Sequence, residues 1–61
     1  MTTLVKIEGY QIEFNGRSTY FVVDQHGCCR LATDTLRKAK NKLRRILSNY
    51  NHITEQTLKS I

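Results

Sequence analysis

Apolar and polar residues alternate along "YQIEFNGRSTYFVV". Tyr10, Ile12 and Phe14 occupy every second position, and the strand formers Tyr20, Phe21, Val22 and Val23 follow after a polar interval. A period of two predicts half-buried strands. Asn15-Gly16 lies between the two runs and is a strong hairpin signal, because a two-residue type I′ turn needs positive φ at both central positions. That turn predicts Phe14 opposite Arg17, Ile12 opposite Thr19 and Tyr10 opposite Phe21. Tyr10, Ile12, Phe14, Phe21 and Val23 are then expected on the core face. Gln11, Glu13, Ser18, Tyr20 and Val22 are expected on the outer face. Upstream, Val5 and Ile7 are out of phase with the core set, and a bulge at Gly9 would restore the phase.

"DQHG", Asp24 to Gly27, predicts a second turn with Gly27 in a left-handed position. "CCRLAT" predicts a third, shorter strand, with Cys29 and Leu31 inward and Cys28 and Arg30 outward. The period then becomes helical. Leu36, Ala39, Leu43, Ile46, Leu47 and Tyr50 fall within an arc of roughly 100° on a helical projection, a core-facing stripe. Asp34 is the expected N-cap, with Thr33 and Thr35 as competitors, and Asn49 or Asn51 can end the helix. "NHITEQTLKSI" predicts a further short helix capped by Thr54, with Ile53 and Leu58 as a hydrophobic staple. The expected class is α+β: a three-stranded antiparallel sheet packed on one long C-terminal helix, β-β-β-α, with a short helical tail. Residues 1–61 are read as one domain, with the sheet at about 4–33, the long helix at about 34–50 and the short helix or tail at about 53–61.

The length of 61 residues makes the core modest; a chain this short buries roughly 60% of the surface its unfolded form exposes. The two cysteines are adjacent and cannot staple distant parts of the chain, so packing or self-association must supply the stability. No stretch approaches the ~20 apolar residues of a membrane span. "MTTLVKIEGY" lacks the basic start and apolar run of a signal peptide, and the expected location is cytoplasmic.

Charge changes the picture more than size does. The net charge is +5. Residues 1–34 hold three basic groups (Lys6, Arg17, Arg30) against four acidic ones (Glu8, Glu13, Asp24, Asp34). Residues 35–61 hold seven basic groups and only Glu55. Six of the seven, Arg37, Lys38, Lys40, Lys42, Arg44 and Arg45, lie within nine positions of the predicted helix. They cover most of its exposed circumference. A helix that is merely solvated usually interleaves acids, because like-sign neighbours three or four residues apart cost about 0.2–0.5 kcal/mol. Here Arg37/Lys40, Lys38/Lys42 and Lys40/Arg44 are all like-sign.

This pattern points to phosphate contacts through Arg37, Lys38, Asn41, Arg44 and Arg45, with Lys40 and Lys42 on the flanks, Ser48 as an extra donor and Arg30 contributing from the sheet. The expected partner is nucleic acid, DNA before RNA. A second reading is an inhibitor or adaptor whose helix meets an acidic protein surface, with Tyr20 and Val22 on the outer sheet face as the seat for a partner or for a second copy in a homodimer. A third, bland reading is a basic face that serves solubility alone.

Catalysis is not expected. No nucleophile has a base at a recognisable spacing, and no Gly-rich phosphate loop occurs. His26, Cys28, Cys29 and His52 could in principle ligate zinc, but "H-x-C-C" is not a ligand spacing, and two neighbouring strand cysteines point to opposite faces. No cofactor or metal is expected.

The strand order followed by "RLATDTLRKAKNKL", running from the third strand into the helix, resembles the small N-terminal DNA-binding domains of phage and transposon integrases. The chain also looks like a short phage or prophage reading frame. The integrase resemblance covers about residues 7–50. It implies a sheet that enters the major groove and a helix that braces its back, with Arg30 and Tyr20 at comparable positions. The sequence departs from that pattern because its outer sheet face is poor in Arg and the positive charge sits on the helix.

Overall fold

Ile7 stands opposite Tyr10, which leaves Glu8 and Gly9 as a two-residue turn between the first two strands. Both have positive φ, 51° and 84°, as a type I′ turn demands. The computed structural model describes the whole chain, Met1 to Ile61. It contains β1 (Thr2–Ile7), β2 (Tyr10–Phe14), β3 (Tyr20–Val23), β4 (Cys29–Thr33), α1 (Leu36–Ile46), a short 3-10 turn (Ser48–Tyr50) and α2 (Asn51–Leu58). The sheet is an antiparallel meander in the order β1-β2-β3-β4, so the class is α+β as expected, but with four strands and two helices.

The fourth strand follows from the Glu8-Gly9 turn. That turn puts Val5 and Ile7 on the same face as Tyr10 and Ile12, so no bulge at Gly9 is needed. The irregularity lies instead between Thr3 and Val5. Gln25 holds the turn from the next loop: its Nε2 donates to the Glu8 carbonyl at 3.1 Å. A Cβ at Gly9 would meet Gln25 Cγ at 2.7 Å.

The predicted turn at Asn15-Gly16 does not form. Phe14 pairs with Tyr20, three residues beyond its predicted partner, and residues 15–19 form the loop. Asn15 does not take positive φ. Its side chain caps the loop instead: Oδ1 accepts from the amides of Arg17, Ser18 and Thr19 at 2.9, 3.1 and 3.1 Å. Asn15 N also donates to the Thr19 carbonyl at 3.1 Å. An odd offset exchanges the two faces of β3. Tyr20 and Val22 therefore turn inward, and Phe21 and Val23 turn outward, opposite Glu13 and Gln11. Val22 is fully buried, as is Ile12 directly across from it. Tyr20 stacks on Phe14 with ring centroids 4.6 Å apart.

The β3–β4 turn forms where it is expected. Asp24 Oδ1 accepts from the amides of His26 and Cys28, both at 2.9 Å, and Gly27 has φ 83°. Leu31 pairs with Val22 and faces the core. The register slips by one residue between Val22 and Val23, so Cys29 is exposed and does not point inward.

Thr35 is the N-cap of α1: its backbone is extended, and its hydroxyl accepts from Lys38 N at 3.2 Å. Asp34, the residue expected to cap, lies one position too early and takes the Lys38 ammonium at 3.2 Å. The helix also stops sooner than expected, at Ile46. Ser48-Asn49-Tyr50-Asn51 are poor helix formers and turn the chain. α2 then folds back against β1 and α1. Leu58 is buried beneath it, whereas Ile53 is 51% exposed, so no Ile53–Leu58 staple forms. Tyr50 falls outside α1 and is exposed. No helix is long and apolar enough to cross a membrane.

Val5, Ile7, Ile12, Val22, Ala39, Leu43, Leu47 and Leu58 make the core. It lies between one face of the sheet and the two helices, with α1 over β3 and β4 and α2 over β1. Thr54, expected as a cap, sits inside α2 and is fully buried, and its hydroxyl has no partner. Thr57 shows the usual solution: its hydroxyl donates to the Ile53 carbonyl at 3.0 Å. An orphaned buried hydroxyl costs about 1–3 kcal/mol, and valine has the same shape without it. Thr54→Val is therefore expected to raise thermal stability by about 1 kcal/mol, a Tm increase of roughly 4–8 °C for a domain of this size. A calorimetric Tm below that of the parent chain would show that the hydroxyl is satisfied.

Candidate nucleic-acid interface

α1 carries six cations, and its packing sorts them. Ala39, Leu43 and Leu47 define the buried direction. At 100° per residue, Lys38, Lys42 and Arg45 then run down one flank, with Asn41 beside them. Arg37, Lys40 and Arg44 run down the other.

The first flank borders a cleft. Lys38, Asn41, Lys42 and Arg45 line it together with Leu31 of β4, and its volume is about 320 Å³. No carboxylate lines the cleft. Asp34 approaches from its end and pairs with Lys38, but both side chains are largely exposed, so water screens that pair. Lys42 and Arg45 have no acidic partner within salt-bridge distance.

The second flank faces α2. Arg44 Nε donates to Glu55 Oε2 at 2.7 Å, and Arg44 Nη1 donates to Asn41 Oδ1 at 2.8 Å. Arg44 is thus held by two acceptors, whereas Arg37 and Lys40 have no ion pair. Glu55 is the residue that sequence reasoning missed. It lies eleven positions from Arg44, beyond any helical spacing, and only the reversal of the chain after Leu47 brings it close. Leu31, read as a core residue, also serves as the apolar floor of the cleft.

Other expected site residues lie elsewhere. Arg30 is exposed on β4 with its Nη1 3.7 Å from Asp24 Oδ2, and it does not line the cleft. Tyr20 and Val22 do not form an outer interaction face, because the β2–β3 register places both on the core side. Ser48 is exposed in the 3-10 turn. No three His, Cys, Asp or Glu side chains converge as metal ligands would.

Two carboxylates are shifted below their ordinary value of 3.8. Asp34 is lowered by the hydrogen bond and charge of Lys38. Asp24 is lowered mainly by the Cys28 amide, then by the amide and charge of His26 and the charge of Arg30, against an opposing effect of burial. A carboxylate with a depressed folded pKa stabilises the fold above its unfolded pKa, and that contribution is lost as pH falls through the folded value. Asp24→Asn is expected to lower Tm at neutral pH and to flatten the fall in Tm below pH 3.8. An unchanged acid limb in a pH series of thermal melts would refute this role. Glu55→Gln releases Arg44 and removes a partly exposed ion pair, so its stability cost should not exceed about 1 kcal/mol. Its affinity for a polyanion should rise, as a titration of parent and variant at equal salt will show. No protein-family profile matches the chain, and no curated protein or solved structure is similar enough to count as a match.

Proposed function

We propose that this chain is a small nucleic-acid-binding module without catalytic activity, contacting phosphates through the exposed face of α1. One observation carries the reading. Lys38, Asn41, Lys42 and Arg45 meet along a single cleft, and two of the three cations there are unneutralised. A helix that needed only solubility has no reason to accept like-sign repulsion at that spacing. Phosphate is an anion that repays it, since each neutralised phosphate also releases condensed counterions.

The acidic-protein or homodimer reading loses its main support here. It relied on Tyr20 and Val22 as an exposed seat, and both belong to the inner face. Arg37, Lys40 and, more weakly, Arg44 remain as secondary phosphate contacts.

The test is the salt dependence of binding. With about 4–6 phosphates neutralised, log K against log[salt] should slope by about −0.9 per contact on duplex DNA and about −0.7 on a single strand. A combined Lys38→Glu and Arg45→Glu change should abolish binding at low salt while leaving Tm within a few degrees of the parent. Binding unaltered by that double change would sink the proposal.

A further inference from the structure

The geometry points to a single strand of nucleic acid, rather than a duplex, as the occupant of the cleft between α1 and β4. This rests on the phosphate reading above and narrows it.

Consider the two walls. The α1 wall is a rail of cations. Lys38, Lys42 and Arg45 are spaced by four and then three residues, so they rise by about 6 Å and then about 4.5 Å along the helix axis. The other wall is β4, the edge strand of the sheet, hydrogen-bonded to β3 alone. An edge strand keeps unpaired N–H and C=O groups along its free side. α2 lies over β1 at the opposite edge, and Arg44 faces it through Glu55. The Lys38–Lys42–Arg45 flank therefore looks the other way, toward the free edge of β4. Leu31 closes the floor between the walls.

A single strand matches this cross-section. Its phosphates lie on one side, and its unpaired bases offer hydrogen-bonding edges and an apolar face on the other. Phosphates on the α1 rail would leave the bases over Leu31 and the β4 edge. A duplex cannot use the second wall, because its bases are stacked and paired inside. Nor does α1 project as a groove-reading helix. The major groove is about 12 Å wide and admits one helix of about that diameter. α1 packs over β3 and β4 with α2 against it, so part of its circumference is already covered.

The experiment compares two charge reversals of equal size and different place. Fluorescence anisotropy on the intact chain would use a labelled oligothymidylate of about 12 nucleotides, within the site size of small single-strand binders. A matching oligouridylate and a duplex of equal length complete the set. The parent chain is expected to bind both single strands about tenfold or more tightly than the duplex, as apolar contact with Leu31 and hydrogen bonds from base edges to the free side of β4 add to charge. Lys42→Glu, in the cleft, should remove that preference. Arg37→Glu, on the other flank, should weaken all probes alike and keep it. Both side chains lie outside the core, and a thermal melt of each variant checks folding.

Equal affinity for duplex and single strand, or equal effects of the two variants on every probe, would overturn the single-strand assignment and leave the phosphate reading standing. Absence of binding to any probe at low salt would overturn both. Displacement of bound oligothymidylate by an oligoglutamate peptide at equal charge concentration would reassign the cleft to an acidic extended polypeptide.

Discussion

Ile12 and Val22 face each other in the middle of the sheet, and both are completely buried. Much of the molecule follows from that pair. It fixes the face of β3 that meets the helices, and it brings Leu31 into the same row from β4. It also leaves Phe21 and Val23 on the uncovered side. Hydrophobic burial is non-directional and would accept other pairings of these strands. The loop decides among them. Asn15 satisfies three amides with one carboxamide oxygen, and that network holds five residues where two had room to turn. With the central pair set, Ala39, Leu43 and Leu47 supply the complementary stripe, and α1 lies over β3 and β4.

The hydrophobic periods were readable from the chain, and so were most of the elements they imply. The stripe Leu36-Ala39-Leu43-Ile46-Leu47 does bury itself, and Gly27 takes the left-handed conformation its turn requires. What the sequence withheld was phase. Asn-Gly favours a type I′ turn locally, yet the turn of that kind falls at Glu8-Gly9, where a glutamate accepts positive φ. The preference of Asn15 for capping amides outweighed its tolerance of a left-handed backbone. A three-residue error in register then put Tyr20 and Val22 on the wrong face. The tail was harder still. Ile53, Thr54 and Leu58 fit a cap and staple on paper, but the N-cap of α2 lies four residues earlier, at Tyr50, and Ile53 is left in solvent.

The basic run was visible from the sequence, but its division was not. Helical angles alone placed cations around most of α1. Packing separates them into a flank whose Arg44 is held by Glu55 of α2 and a flank that borders a cleft. That separation depends on α2, whose contact with α1 joins residues too far apart in sequence for any local rule. Glu55 and Leu31 therefore matter to the surface as much as the lysines do. One withdraws a cation from it, and the other gives it an apolar floor.

The cleft flank of α1 also sets salt against itself. Lys38, Lys42 and Arg45 repel one another in the free chain, and dissolved ions relieve that strain because the Debye length is only about 8 Å at physiological ionic strength. Added salt should thus make the empty fold firmer. The same ions compete with the cations for phosphate and loosen any complex. Folding and the proposed phosphate binding would then respond to ionic strength with opposite signs, and a small domain with a thin core would feel both.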